Sequence, residues 1–214
     1  VQPNKDKISS NLSAGTLSFE FSCDDEKIIT NCGATESYGK NPEYLRYTAA
    51  HSTIVLQNTN VSEIKENTPH IKYPQSVQYN SNEDEKSFIL EGSHNGYAKK
   101  FQKILKRSIE VNKIENKIIG YDTIISLKKI AERVIYHIRF HLAENMVFNF
   151  TNNKKNIILK TEKNNMWVFK SDTELIVEDS IVVDNNRIGS TKQIVIKGII
   201  SNSKIIKKWS LEKI

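Results

Sequence analysis

The sequence predicts an all-β fold, a sandwich or a barrel of roughly ten or more short strands with few or no helices. Three observations carry this. Apolar and polar residues alternate with period two over many short segments, the spacing of half-buried strands. Asn- and Lys-rich clusters at 152–155, 163–165 and 184–186 punctuate the later segments, as turns do in all-β domains. The pattern reaches the C-terminus without a break in composition, so residues 15–214 read as one domain.

The elements follow in order. Leu17, Phe19 and Phe21 alternate with Ser18, Glu20 and Ser22, which predicts a first strand. Lys27–Cys32 is a second, after the acidic turn Asp24-Asp25-Glu26. With 23 opposite 27 and 32 opposite 18, Cys23 and Cys32 stand roughly 17 Å apart at ~3.3 Å per residue, too far for a disulfide. Thr53–Gln57 is β-branched and apolar on both faces. Ser76–Tyr79 and Ser87–Glu91 are strands around a polar, acidic loop, 80–86. Tyr97, Phe101, Leu105, Ile109 and Val111 share one strand face. A helical face through Phe101, Ile104 and Leu105 is the competing pattern, and the strands on either side favour the first. Lys117–Leu127 runs as a strand through Gly120. Arg133–Leu142 divides most clearly. Val134, Tyr136, Ile138, Phe140 and Leu142 form one face, and Arg133, His137, Arg139 and His141 the other. Short β-rich runs at 156–161, 166–170, 174–183, 192–200 and 205–211 complete the series.

Composition bounds the function. A chain of 214 residues buries roughly 70% of its unfolded surface and needs no staples. Apolar content is 38% and no apolar run approaches a membrane span, which takes about 20 residues. Lys and Arg number 31 against 25 acids, a net charge of +6. The lysines are dispersed, so base composition of the gene explains them and no nucleic-acid partner is expected. The acidic stretches Glu63–Glu66 and Glu83–Glu85 read as solvated charge. Residues 1–14 are polar and read as a linker from a preceding domain. Nucleophile-elbow and phosphate-loop motifs are absent;.

The histidines are the chemical candidates. His70 follows Pro69 in a loop and reads as a surface residue. His51 precedes the strand Thr53–Gln57 and reads equally as a packing residue or a ligand. His94 lies in the turn Gly92-Ser93-His94-Asn95-Gly96-Tyr97, where Asn and His also tolerate strained geometry for purely structural reasons. His137, Arg139 and His141 share a strand face. Arg139 between the two imidazoles repels a cation, which disfavours a metal there. Arg139 offers a planar fork for a carboxylate. Its alternative partner is an acidic neighbour, Glu178 or Asp179, across strands.

The ordered segments 15–20, 31–33 and 48–53, then Ser93-His94-Asn95-Gly96-Tyr97, 138–142, 178–180 and 191–195, resemble the C-terminal domain of heparinase II/III-like proteins. The resemblance runs from about residue 12 to about 211. It implies a large, supersandwich-like antiparallel β-sandwich behind an N-terminal helical α/α-toroid, in a polysaccharide lyase. Such enzymes cleave uronic-acid glycans by β-elimination. A His or Tyr base removes the C5 proton, and a polar or cationic group neutralises the uronate. Most of these groups belong to the toroid, so the chain alone is expected to be inactive. The family setting implies the periplasm or cell envelope, and the toroid and an acidic polysaccharide such as a glycosaminoglycan as partners. Under it, His94, Tyr97 and His141 are catalytic candidates, and Asn95, His137 and Arg139 substrate-binding ones. The alternative is a non-catalytic module that binds acidic glycan or packs against a partner. Family members often hold a structural zinc. Its ligand positions fall near Ser13, at Asn31 and at His51. Ser and neutral Asn are poor zinc ligands, so no zinc is expected and His51 is a vestige.

Overall fold

The computed structural model describes residues 13–34, 43–64, 74–128, 133–151, 153–184 and 187–214. His70 and Glu66 lie outside them. Two antiparallel sheets pack as a sandwich.

The strands are β1 (Phe21–Cys23), β2 (Glu26–Thr30), β3 (Ile54–Leu56), β4 (Val77–Glu83), β5 (Ser87–His94), β6 (Lys103–Asn112) and β7 (Lys117–Ser126). Then come β8 (Val134–Leu142), β9 (Val147–Phe150), β10 (Asn156–Lys160), β11 (Met166–Ser171), β12 (Ile176–Asp184), β13 (Arg187–Ile200) and β14 (Lys204–Lys213). Sheet one runs β1-β2-β8-β13-β12, and β3 pairs with β8 beyond the end of β2. Sheet two runs β4-β5-β6-β7-β14-β11-β10-β9. One helical turn, α1 (Ala98–Phe101), sits between β5 and β6.

The core lies where β8 meets β14 and β11. Trp209 lies near-parallel to Phe19 (5.4 Å) and to Phe169 (5.9 Å), and Phe140 of β8 meets it edge-on at 4.8 Å. Each such pair adds about 0.5–1.5 kcal/mol to the burial of the rings. A smaller apolar cluster covers the outer face of sheet one. There Cys32, Leu45 and Ala50 pack with Ile181 and Val183, held by the 3-10 turns Glu43–Arg46 and Thr48–Ala50.

Several elements depart from the sequence reading. The first strand starts only at Phe21, because Thr16–Leu17 form a turn with Leu17 at φ 59°. The hairpin turns on two residues, Asp24-Asp25, so Cys23 faces Glu26 and a bulge follows at Phe21/Ser22. Asp24 takes the left-handed conformation (φ 54°) that such a turn demands;. Both cysteines are free. Residues 80–83 belong to β4, whose polar composition reflects exposure on both faces at the sheet edge. Tyr97–Phe101 form a turn and α1, and the strand begins at Lys103, after Gln102 in the left-handed region. β9 goes unpredicted because its residues are mostly exposed and too few to show a period.

Candidate functional site

A groove of about 490 Å³ lies beside the first described residues. Ser13–Phe19 form one wall, and Val77, Tyr79 and Leu90 of β4 and β5 the other. Sheet two is broader than sheet one, so this wing of its core-facing side has no strand opposite it. Tyr79 is 68% exposed there. Gly92 lets the chain approach: a Cβ on it would lie 2.4 Å from Leu17 Cδ2.

Arg107 closes the groove's inner end. Nε and Nη2 donate to Asp122 Oδ1 (2.7 Å) and Oδ2 (2.9 Å). Nη1 donates to Leu17 O (3.0 Å) and Ser52 O (2.6 Å). Trp209 Nε1 adds a bond to Asp122 Oδ2 at 2.9 Å. Both charged side chains are buried. The guanidinium therefore ties the 14–19 and 51–53 segments to sheet two.

The turn after β5 is enclosed. Tyr97 is 1% exposed and its hydroxyl donates to Thr59 O at 2.7 Å, so its ring has no face for a sugar. Burial raises its pKa far above the phenol value. His94 is buried and its Nδ1 accepts from Gly96 N–H (3.2 Å). Burial, then the Arg107 charge, pushes it down to about 4. Asn95 Oδ1 accepts from Ser76 N–H at 3.0 Å.

The polar face of β8 does point away from the core, but it is covered. His141 is 2% exposed. Its Nε2–H donates to Ala49 O (3.0 Å), which leaves Nδ1 to accept from Ser180 Oγ (2.7 Å), with Cys32 Sγ at 3.6 Å. Burial holds its pKa at about 4. His137 is buried with Nδ1 lacking a partner. Burial and the Arg139 and Lys197 charges lower its pKa. Of the two partners open to Arg139, a ligand carboxylate or an acidic neighbour, the fold supplies the second. The Arg139 side chain is only 11% exposed, and Nη1 donates to Glu178 Oε2 (2.9 Å) and Gln193 Oε1 (3.0 Å). The cause is the register: Gln193 lies next to His141 on β13, and Glu178 faces Gln193 from β12. The β5 turn and the β8 face lie on opposite sides of sheet one and do not form a common site.

Of the three positions that the family resemblance aligns with zinc ligands, Asn31 and His51 lie close together. Gly15 packs against the His51 ring, and Asn31 Oδ1 accepts from Ser52 N–H at 2.8 Å. The donors do not fit zinc. Asn31 also donates to Glu20 Oε1 (3.0 Å), and His51 Nδ1–H is committed to Tyr47 O (2.8 Å). That leaves one imidazole nitrogen and a neutral amide;. Among the described residues, no three His, Cys, Asp or Glu side chains are grouped to hold a metal.

The family model for the heparinase II/III-like C-terminal domain matches residues 1–210. The chain belongs to this family. This heparinase II/III-like sandwich is similar to part of the heparan sulfate lyase HepC from Pedobacter heparinus. The TM-score is 0.75 at 14% identity, over 94% of this chain and 30% of that one. A heparinase III gives 0.69 at 11%, with the same coverage. Alpha-N-acetylgalactosaminidase NagBb from Bifidobacterium bifidum gives 0.52 at 8%, over 95% of this chain and 34% of that one. At these identities the likeness speaks to the fold alone. The chain spans about 30% of the length of the first two structures. No curated relative matches it in sequence.

Arg107 and Asp122 are the residues of this heparinase II/III-like chain that sequence reasoning passed over. Their signal is positional. Leu105, Arg107 and Ile109 share one parity on β6, and Gly120, Asp122 and Ile124 one on β7, so both charges occupy core positions on neighbouring strands.

Proposed function

We propose that the chain is the β-sandwich domain of a polysaccharide lyase that cleaves uronic-acid glycans by β-elimination, with most catalytic groups in a preceding α/α-toroid. The family match over residues 1–210 is the observation that carries this. In that setting the sandwich supplies the wall against which the toroid and glycan are placed. The groove beside Ser13–Phe19 is the concave surface suited to that task. Its partners are then the toroid of the same polypeptide and an acidic polysaccharide, and a periplasmic or cell-envelope location follows from the same setting. No zinc enters this reading, because Asn31 and Ser13 stand at ligand positions.

One observation favours the second reading, a non-catalytic glycan-binding or packing module. His94, Tyr97 and His141 are buried, and His94 Nδ1, the Tyr97 hydroxyl and both His141 nitrogens are bonded within the fold. A general base must reach its proton.

The test is the ultraviolet absorbance of unsaturated uronate released from heparan sulfate, alginate and hyaluronan. The full-length protein is expected to produce it, and the 214-residue chain alone is not. Turnover by the chain alone would place a complete site in the sandwich. No turnover by the full-length protein on any uronate glycan would leave the module reading. Elemental analysis of the same sample should give far less than one zinc per chain.

A further inference from the structure

The outer face of sheet two carries a second concavity, a shallow trough of about 410 Å³ across β4–β7. Two cross-strand rows build it. One reads Asn80, Glu91, Ser108 and Tyr121 and continues past the trough to Lys208 of β14; the other reads Gln78, Ser93, Lys106 and Thr123 and continues to Ile206. Five strands at about 4.8 Å spacing make each row about 19 Å long. The hollow has a simple cause. Ser93 and Ser108 are small, so the floor is low between the larger side chains around them. At one end Tyr121 is 36% exposed, with Lys208 Nζ 5.7 Å from its ring centroid. Lys106 stands exposed on the neighbouring strand.

The polar groups here are uncommitted. Among the described residues, the side chains of Gln78, Asn80, Ser93, Lys106, Ser108 and Thr123 make no hydrogen bond. The other polar clusters of the molecule contrast with this. Glu26 alone accepts bonds from Thr161, Lys163 and Asn165, and the Arg107 guanidinium donates to Asp122, Leu17 and Ser52. A half-exposed tyrosine offers an apolar face with a polar tip. Flat rows of hydroxyls and amides beside it suit a ligand with many hydroxyls and a C–H face, which is a sugar. The charge is polarised: Lys106 and Lys208 lie towards the tyrosine, and Glu91 lies towards the sheet edge.

We propose that this trough binds an acidic oligosaccharide. The Lys208 ammonium lies over the Tyr121 ring; it swings onto the ligand's carboxylate or sulfate beside Lys106, a sugar ring takes its place on Tyr121, and the hydroxyls face the Ser108, Ser93 and Asn80 side. The trough and the groove share Tyr79, Glu91, Gly92 and Arg107 in their linings, but the rows that build the trough have the opposite parity to Arg107 and Ile109, so it opens on the other face of the sheet. It deepens the glycan-handling function proposed above and rests on it for the class of ligand. In the parent enzyme the trough acts as an accessory anchor that holds polymer away from the point of cleavage.

The test is a titration of the isotope-labelled 214-residue chain with heparan sulfate oligosaccharides, followed by NMR, with neutral xylan oligosaccharides as comparison. Shifts are expected at Ser93, Lys106, Ser108, Tyr121 and Thr123, and stronger for the acidic ligand. Tyr121→Ala is expected to weaken binding about five- to tenfold, the worth of one ring contact. Lys106→Gln and Lys208→Gln should each weaken it about two- to fivefold, with a shallower dependence on salt. No binding, shifts confined to other surfaces, equal binding of the neutral ligand, or unaltered binding by Tyr121→Ala would overturn the proposal. Trough binding with no turnover by the full-length protein would count against the lyase function alone. Turnover with no shifts at the trough would count against the trough alone.

Discussion

Arg107 shows how much one side chain organises here. It is a buried cation with a bidentate carboxylate, two carbonyl acceptors, and the faces of Phe19 and Phe140 at 5.3 and 6.0 Å. Removing one partner of such a pair leaves an uncompensated buried charge, at a cost of about 3–5 kcal/mol. Arg107→Met should therefore lower the urea midpoint by that equivalent, stranding Asp122 with only the Trp209 N–H. Arg107→Met combined with Asp122→Leu should recover part of the loss, since no lone charge remains. A single variant within about 1 kcal/mol of wild type would mean that water reaches the pair. Arg139 makes a different case. It is nearer the surface and touches Glu178 and Gln193 on the outer face, so it fastens β8 to β12 and β13.

At the scale of elements, close approach between strands and aromatics decides the packing. Trp209 of β14 lies flat on Gly120 of β7, and a Cβ there would stand 2.1 Å from the indole. The ring cannot retreat, because Phe19, Phe140 and Phe169 pack around it and Asp122 holds its nitrogen. Gly120→Ala should destabilise by about 2–3 kcal/mol through overpacking, although in an open strand the same change would be mildly favourable. Thermal unfolding several degrees below wild type is the expected result, and an unchanged midpoint would show that Trp209 has another rotamer available. The same scale explains β4. It pairs only with β5 and has little apolar cover, so its sequence carries no period and resembles a loop. β8 is the opposite case, clothed on its inner face by the core and on its outer face by the 3-10 turns.

At the scale of the whole molecule, the buried imidazoles make stability depend on pH. His94 and His141 fall from 6.5 to about 4 in the folded protein because burial disfavours the cation. The unfolded chain takes up these protons at 6.5 and the folded protein does not. Their contribution is therefore complete above about pH 6.5 and is lost as pH falls towards 4. The upper limit is about 3 kcal/mol per imidazole. His51 and His137 shift the same way. Urea midpoints should be level above neutral pH and fall between pH 6.5 and 4. His141→Asn should remove about one proton's worth of that slope. A level profile over this range would show that the imidazoles reach water. No helix among the described residues is long and apolar enough to cross a membrane.

The β-sandwich was legible in the chain because period-two alternation is a local property. Val134 to Leu142 declare two faces whatever lies opposite them. The ordered segments from Gly15 to Val195 likewise pointed to the family that the match over residues 1–210 establishes. Which polar side chains remain available was not local. Arg139 meets Glu178, Tyr97 meets Thr59, and His141 lies under Ala49, contacts across 38 to 92 residues of chain. Strand register and the loop laid over sheet one set these pairings, and alternation along a single strand carries no information about either. The groove and the trough arise in the same way. One exists because sheet two is broader than sheet one, and the other because Ser93 and Ser108 come side by side with larger neighbours around them. Sequence could name the faces, and only the packing of the sheets decided which of their groups meet solvent.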